Sequence, residues 1–201
     1  MRYIPIFLLV FALWLNYQLR KASRSQKGSD EEFWARDQRA NLSRSRDISS
    51  LDYINIDLSK LPLDSKEDQT LNSYRDTIIK LADKKVLNLS GKSNTELKEA
   101  YGIANLNKLI EYDNNYLALV SILHKWAKRL YDSSYIADAR AVLEYALAIK
   151  SDVASSYKLL AKIYKEQNMP EKIQDLIHLL SDINIRNKDE LIRSINKIML
   201  S

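Results

Sequence analysis

The chain has 201 residues and a formal net charge of +5, from 31 lysines and arginines against 26 aspartates and glutamates. This length accommodates one domain and an anchor, and the small basic excess is far below that of a nucleic-acid-binding surface. The absence of cysteine excludes disulfides, thiolate metal sites and a cysteine nucleophile. Glycine and proline are scarce, which favours helices, and the richness in lysine, isoleucine and asparagine suggests a bacterial protein.

The first segment is apolar and uncharged from Tyr3 to Leu15, and Tyr17 and Leu19 extend it. A spanning helix needs about 17–25 apolar residues, and this segment reaches the lower limit. A cleaved signal peptide would end in a small-residue cleavage pattern, which is missing here. We therefore expect a single transmembrane anchor over residues 1–19.

The basic residues that flank this segment predict its orientation. Only Arg2 precedes the segment, whereas four basic residues follow it: Arg20, Lys21, Arg24 and Lys27. The positive-inside rule then places the C-terminal body in the cytoplasm, at the cell membrane. The same four side chains attract anionic lipid, at about 1 kcal/mol for each basic residue near the surface.

Residues 20–65 are predicted to form a basic juxtamembrane helix and an extended arm. Ser29 and Glu32 have the spacing of a capping box and would begin the helix. Phe33 and Trp34 on it either enter the lipid headgroup layer or pack on the body or a partner.

The arm covers Leu51–Leu63, where apolar residues alternate with polar ones in the manner of a strand. No second segment of comparable alternation exists, so we expect the arm to pack against the helical body. The alternatives are addition to the sheet edge of a partner and self-association through the arm.

Residues 66–201 are predicted to form a helical domain. An apolar rhythm of three and four residues indicates helices over 68–87 and 95–110, with turns at 88–93 and 113–115. Further helices are expected over Tyr116–Tyr131, Ile136–Lys150, Ala154–Gln167, Met169–Ser181 and Arg186–Leu200. Pro170 falls in the first turn of its helix, where proline is tolerated.

Seven apolar positions recur at one constant interval, the separation between residues 123 and 157. We call this interval the repeat offset. The first set is Leu123, Trp126, Ala127, Leu130, Ala139, Leu143 and Ala146. The second set is Tyr157, Leu160, Ala161, Tyr164, Ile173, Ile177 and Leu180. A fixed period of about 34 residues with this internal spacing indicates stacked helical hairpins.

This spacing resembles the tetratricopeptide repeat (TPR), in which small residues let the helices approach and large ones fill the facing grooves. The resemblance covers repeats over 120–153 and 154–187, and a terminal helix follows over 186–200. Ile173 departs from it by replacing a small residue. The resemblance implies an all-α fold, a TPR-like α-solenoid of antiparallel hairpins, and the layout also resembles bacterial membrane-anchored repeat proteins without an assigned activity.

No residue pattern in the chain is typical of catalysis or of a cofactor. Gly91-Lys92-Ser93 lacks the upstream glycine and the strand of a phosphate-binding loop. His124 and His178 have no metal-ligand spacing. We therefore expect a protein that is not an enzyme and has no cofactor and no metal.

The TPR resemblance further implies that the first helix of each repeat lines a binding groove. The implied groove residues are His124, Lys128, Tyr131, Lys158, Lys162 and Lys165. Lysines on one helix face next to a tyrosine suit an acidic peptide, although an ordinary solvated face has the same composition. The chain is thus predicted to be a membrane-anchored adaptor for a protein or acidic peptide, and the alternative is a secreted or externally displayed helical cell-envelope protein.

Overall fold

A computed structural model describes residues 14, 15, 18, 30–181, 185 and 187–200. The described residues form helices joined by turns and extended segments, without a β-strand, so the fold is all-α. The predicted anchor over residues 1–19 and its basic flank lie almost entirely outside the described residues. No helix within the described residues is both long enough and apolar enough to span a bilayer.

The chain divides into two compact units, Met1–Ser50 with Gly91–Lys108, and Leu51–Ser90 with Leu109–Ser201. In the first unit residues 30–41 form helix α1, and α3 covers Asn94–Tyr101. Ser93 and Glu96 cap the start of α3 reciprocally, which satisfies two backbone N–H groups at the helix end.

Two ion pairs join α1 to α3 within the first unit. Arg36 binds Glu99 through two hydrogen bonds of 2.8 and 2.7 Å. Asp37 accepts from Lys98 at 2.9 Å and from the Thr95 hydroxyl at 2.7 Å. The pair of Asp37 and Lys98 is half-buried, and the bonds from Lys98 and Thr95 hold the pKa of Asp37 below its usual value.

Gly102 separates α3 from helix α4, which covers Ile103–Asp132. Its φ of +83° lies in a region open to glycine, and an added Cβ would lie 2.7 Å from the Arg44 carbonyl oxygen and the Ser45 backbone. The Arg46 amide donates to the Tyr101 carbonyl at 3.1 Å in the same place. The missing side chain therefore lets residues 44–46 lie against the helix break.

The second unit contains the arm, helix α2 (Gln69–Ala82) and the part of α4 from Leu109 onward. The predicted strand-like arm is extended but forms no strand, and a 3-10 turn covers Leu58–Lys60. Ile56 and Leu61 are buried in the core. The Asp57 amide donates to the Tyr145 hydroxyl at 3.0 Å, so the arm packs on the helical body as expected.

The predicted helices over 68–87 and 95–110 are wrong in their bounds, and the predicted turn at 113–115 is wrong altogether. Helix α2 ends at Ala82, α3 ends at Tyr101, and α4 continues through 113–115. Asp113 and Asn115 use their side chains to bind a separate segment: Asp113 accepts from the Leu89 amide, and Asn115 donates to the Lys85 carbonyl, each at 2.9 Å. These side chains therefore do not compete for the local backbone, as they would in a turn.

The remaining helices agree closely with the predicted positions. Helices α5 (Ile136–Ala148), α6 (Ala154–Glu166), α7 (Pro170–Ser181) and α8 (Lys188–Leu200) follow α4. Helix α6 packs against α5, α7 and α8, and α7 packs against α8. Pro170 is the first residue of α7 and so lies in the first turn of its helix, as predicted.

The positions related by the repeat offset meet in the core. Within the two apolar sets every residue is buried except Ile177, which is half-buried. They belong to one hydrophobic cluster, which Ile56, Leu71 and Ile78 extend. Burial of this area from water is the main stabilising contribution.

The turns after α4 and α6 also have the same geometry. Ser134 and Asn168, which are related by the repeat offset, have left-handed φ values of 64° and 55°. After α4 the amides of Ser134 and Tyr135 donate to the carbonyls of residues 131 and 130, and after α6 the amides of residues 168 and 169 donate to those of 165 and 164. This is the Schellman motif, which satisfies the last carbonyls of a helix.

Candidate functional site

Hydrogen bonds that side chains form between helices show how the helices run in the second unit. Tyr116 on α4 donates to the carbonyl of Lys150, beyond the end of α5, at 3.0 Å, so α4 and α5 are antiparallel. Arg140 near the start of α5 reaches Gln167 after α6 at 2.7 Å, and Tyr164 on α6 reaches Glu144 at 3.0 Å. Helices α5 and α6 are therefore antiparallel as well.

Helices α4 and α6 consequently run in the same direction, and polar contacts join them side by side. The His124 ring nitrogens lie 3.0 Å from the Ser156 hydroxyl and 3.1 Å from the Ser155 hydroxyl. At the C-terminal ends of the two helices, the Tyr131 hydroxyl donates to Glu166 at 2.6 Å. Positions separated by nearly the repeat offset thus meet between these two helices.

We call the surface that carries these contacts the first-helix face. It contains the six predicted groove residues and two serines: His124, Lys128, Tyr131, Ser155, Ser156, Lys158, Lys162 and Lys165. The structure brings His124 next to Ser155 and Tyr131 next to Lys162, whose amino nitrogen lies 4.9 Å from the ring centroid. Contact with Tyr131 raises the pKa of Lys162, which is charged at neutral pH.

Two of the predicted lysines have carboxylate partners on their own helices. Lys128 binds Asp132 at 2.8 Å, and Lys162 lies 3.8 Å from Glu166. Both pairs are exposed, and the repeat offset relates the first pair to the second. The sequence contained this signal, because each lysine and its carboxylate have the i,i+4 spacing of neighbours on a helix. Lys158 is exposed and forms no ion pair with a described residue.

His124 is half-buried, and burial followed by the nearby charge of Lys128 lowers the pKa of its ring. A neutral imidazole donates from one nitrogen and accepts at the other, so it can bind both serine hydroxyls at once. The positive charge of the first-helix face at pH 7 therefore comes from its lysines.

Helix α8 carries a third set of positions at the repeat offset, which was not predicted from the sequence. Helix α8 begins one repeat offset after α6, at Lys188 against Ala154, and the two helices have equal length. Leu191 and Ile195 are buried at the positions of Tyr157 and Ala161. The same offset relates Lys158 to Ile192 and Lys165 to Met199, which are half-buried and pack against the core.

Within the described residues no cluster of histidine, aspartate and glutamate is arranged to hold a metal ion. No family model, curated protein or solved structure matches the chain.

Proposed function

We propose that this protein is a membrane-anchored adaptor whose TPR-like helical solenoid binds a protein or acidic peptide partner on its first-helix face, at the cytoplasmic side of the membrane. In this proposal residues 1–19 form the anchor, and Arg20, Lys21, Arg24 and Lys27 contact anionic lipid. The protein performs no chemical step. It increases the local concentration of its partner at the membrane.

The observation that carries the proposal is the side-by-side arrangement of α4 and α6 in the same direction. This arrangement, with identical turns after both helices, repeats the geometry of stacked hairpins. Stacked hairpins place their first helices on one continuous surface, and such surfaces are used for binding. The lysines supply that surface with donors for carboxylates.

The paired lysines remain available to a ligand. Exposed ion pairs of this kind contribute about 0–1 kcal/mol, so a carboxylate of a partner can replace Asp132 or Glu166 at little cost. Lys158 offers a further ammonium group without such an exchange. We expect binding that weakens as salt is added, because exposed charges are screened.

The test compares crosslinked partners of the full-length chain with those of Lys158→Glu/Lys162→Glu, in membranes of the native host. We expect the specific partner bands to disappear from the double variant while helicity by circular dichroism is unchanged. Glu171→Lys/Lys172→Glu, on exposed positions of α7, is the control and should retain the bands. Identical bands in all three proteins would refute a role for the first-helix face.

Protease digestion of intact cells tests the orientation. A cytoplasmic body is protected until the cells are opened. Digestion from outside would instead support the externally displayed cell-envelope protein.

A further inference from the structure

One exposed segment has the composition that the first-helix face would bind. The segment begins the described part of α1 and contains Asp30, Glu31, Glu32, Phe33 and Trp34, and we call it the acid-aromatic segment. Its three carboxylates are exposed and form no ion pair with a described residue. The Phe33 and Trp34 side chains are 52% and 61% exposed.

The two aromatic rings form a compact apolar surface. Their centroids lie 5.5 Å apart at an interplanar angle of 74°, the edge-to-face arrangement. Large aromatic side chains are enriched at protein interfaces and dominate their energetics. Both rings are exposed in the part of the chain that the structure describes, so they are available for contact.

The first-helix face is complementary in charge and in apolar surface. Lys128, Lys158 and Lys162 are exposed on it, while Ile192 and Met199 on α8 add partly exposed apolar surface beside α6. Four residues of helix rise about 6 Å, so Lys158 and Lys162 span the same length as the whole acid-aromatic segment, whose carboxylates occupy one end and whose rings occupy the other. Carboxylates can therefore face the ammonium groups while the rings cover the apolar side chains.

We propose that the acid-aromatic segment of one molecule docks on the first-helix face of a second copy of this chain. The inference rests on the first-helix face being a binding surface, as in the proposed function, and names its occupant. A contact of this size is weak between molecules in dilute solution. Confinement of the copies to one membrane raises their effective concentration and makes the contact productive.

The test uses energy transfer between labelled copies of the full-length chain in liposomes, at a fixed protein-to-lipid ratio. The chain has no cysteine, so Ser73→Cys on the exposed side of α2 provides a single labelling position. The acid-reversed variant is Glu31→Lys/Glu32→Lys, and the lysine-reversed variant is Lys158→Glu/Lys162→Glu.

We expect each variant alone to lose the transfer above random proximity, because like charges then meet at the contact. A mixture of donor-labelled acid-reversed copies with acceptor-labelled lysine-reversed copies should regain it, since each segment then meets a face of opposite charge. Only docking between molecules predicts this recovery. Glu171→Lys/Lys172→Glu should behave as the unmodified chain.

Three outcomes would overturn the inference: no transfer above random proximity in the unmodified chain, transfer that survives both reversals, or a mixture that fails to recover. In a Trp14→Phe background, quenching by brominated lipid that disappears with Trp34→Phe, together with transfer unaffected by the reversals, would assign the aromatic pair to the headgroup layer instead. If the mixture fails but the lysine-reversed variant still loses its crosslinked partner, the adaptor function stands and self-docking does not. If the lysine-reversed variant retains both the energy transfer and its crosslinked partner, both proposals are refuted.

Discussion

Ser134→Gly should stabilise the protein, because Ser134 has the left-handed conformation that favours glycine. Its φ is 64°, at the residue that ends the Schellman motif after α4. The left-handed region costs a residue with a Cβ about 1–2 kcal/mol, and the extra flexibility of glycine in the unfolded chain offsets about 0.5–1 kcal/mol of the gain. The expected net gain is about 0.5–1 kcal/mol.

Thermal unfolding followed by circular dichroism measures this gain. For a chain of this length, about 1 kcal/mol corresponds to about 2–4 °C in Tm. Ser134→Ala is the matched control, since alanine retains the strain and should leave Tm nearly unchanged. Asn168→Gly should gain less than Ser134→Gly, because asparagine tolerates the left-handed region better than serine. Equal Tm values for Ser134→Gly and Ser134→Ala would refute the strain at this turn.

Four further changes test other parts of the structure. Gly102→Ala should strain the break before α4 by about 1–3 kcal/mol and speed hydrogen exchange at the Arg46 amide; unchanged exchange there would contradict the close approach. Trp126→Ala should lower the free energy of unfolding in urea by about 3–5 kcal/mol, because the side chain is fully buried; a loss below about 1 kcal/mol would contradict that burial. Because the pKa of His124 is lowered from 6.5 in the folded chain, the unfolded state binds the proton first and stability should decrease as the pH falls below about 6.5. His124→Gln should remove that part of the dependence in denaturation between pH 7 and 5. Burial raises the pKa of Tyr157 to about 12, so the unfolded state loses the phenol proton first and stability should decrease as the pH rises from 10 towards 12. Tyr157→Phe should reduce that decrease in denaturation measured between pH 9 and 12.

The helix pairs were predictable because the size of the side chain at each repeated position reflects how the helices pack. Ala127 and Ala161 are fully buried at equivalent positions, each in the first helix of its hairpin. Small residues at such positions permit close helix approach, and the repeat offset therefore marks positions that are buried in one core. The left-handed conformation of Ser134 was not predictable in the same way, since serine has no strong preference for that conformation and only the geometry reveals it.

The region before the repeats was predicted less well because tertiary contacts override local preference there. Asp113 and Asn115 are typical of turns, yet they bind residues 85–89 from within a continuous helix. The actual break is at Gly102, where the approach of residues 44–46 requires a residue without a Cβ. Neither contact has a signal in the neighbouring sequence, because each partner lies in a distant segment of the chain.

The ion pairs of the candidate site were not part of the prediction from the sequence. Sequence reasoning placed the lysines on one face and left out Asp132 and Glu166, one helical turn after Lys128 and Lys162. The structure shows both carboxylates within ion-pair distance, and it shows His124 with a pKa lowered by burial. The face therefore carries less net positive charge than its lysine row suggests.

This charge balance constrains which ligands the first-helix face can select. Under the proposed function, a ligand that offers charge alone competes with Asp132 for Lys128 and with Glu166 for Lys162, whereas Lys158 is available without such an exchange. We therefore expect selection to need apolar contact as well, which the half-buried Ile192 and Met199 on α8 can supply in the proposed function. A partner with both carboxylates and an aromatic or aliphatic side chain, spaced by about one helical turn, meets both requirements. A purely acidic peptide meets one, so its binding should be weaker and should disappear first as salt is added.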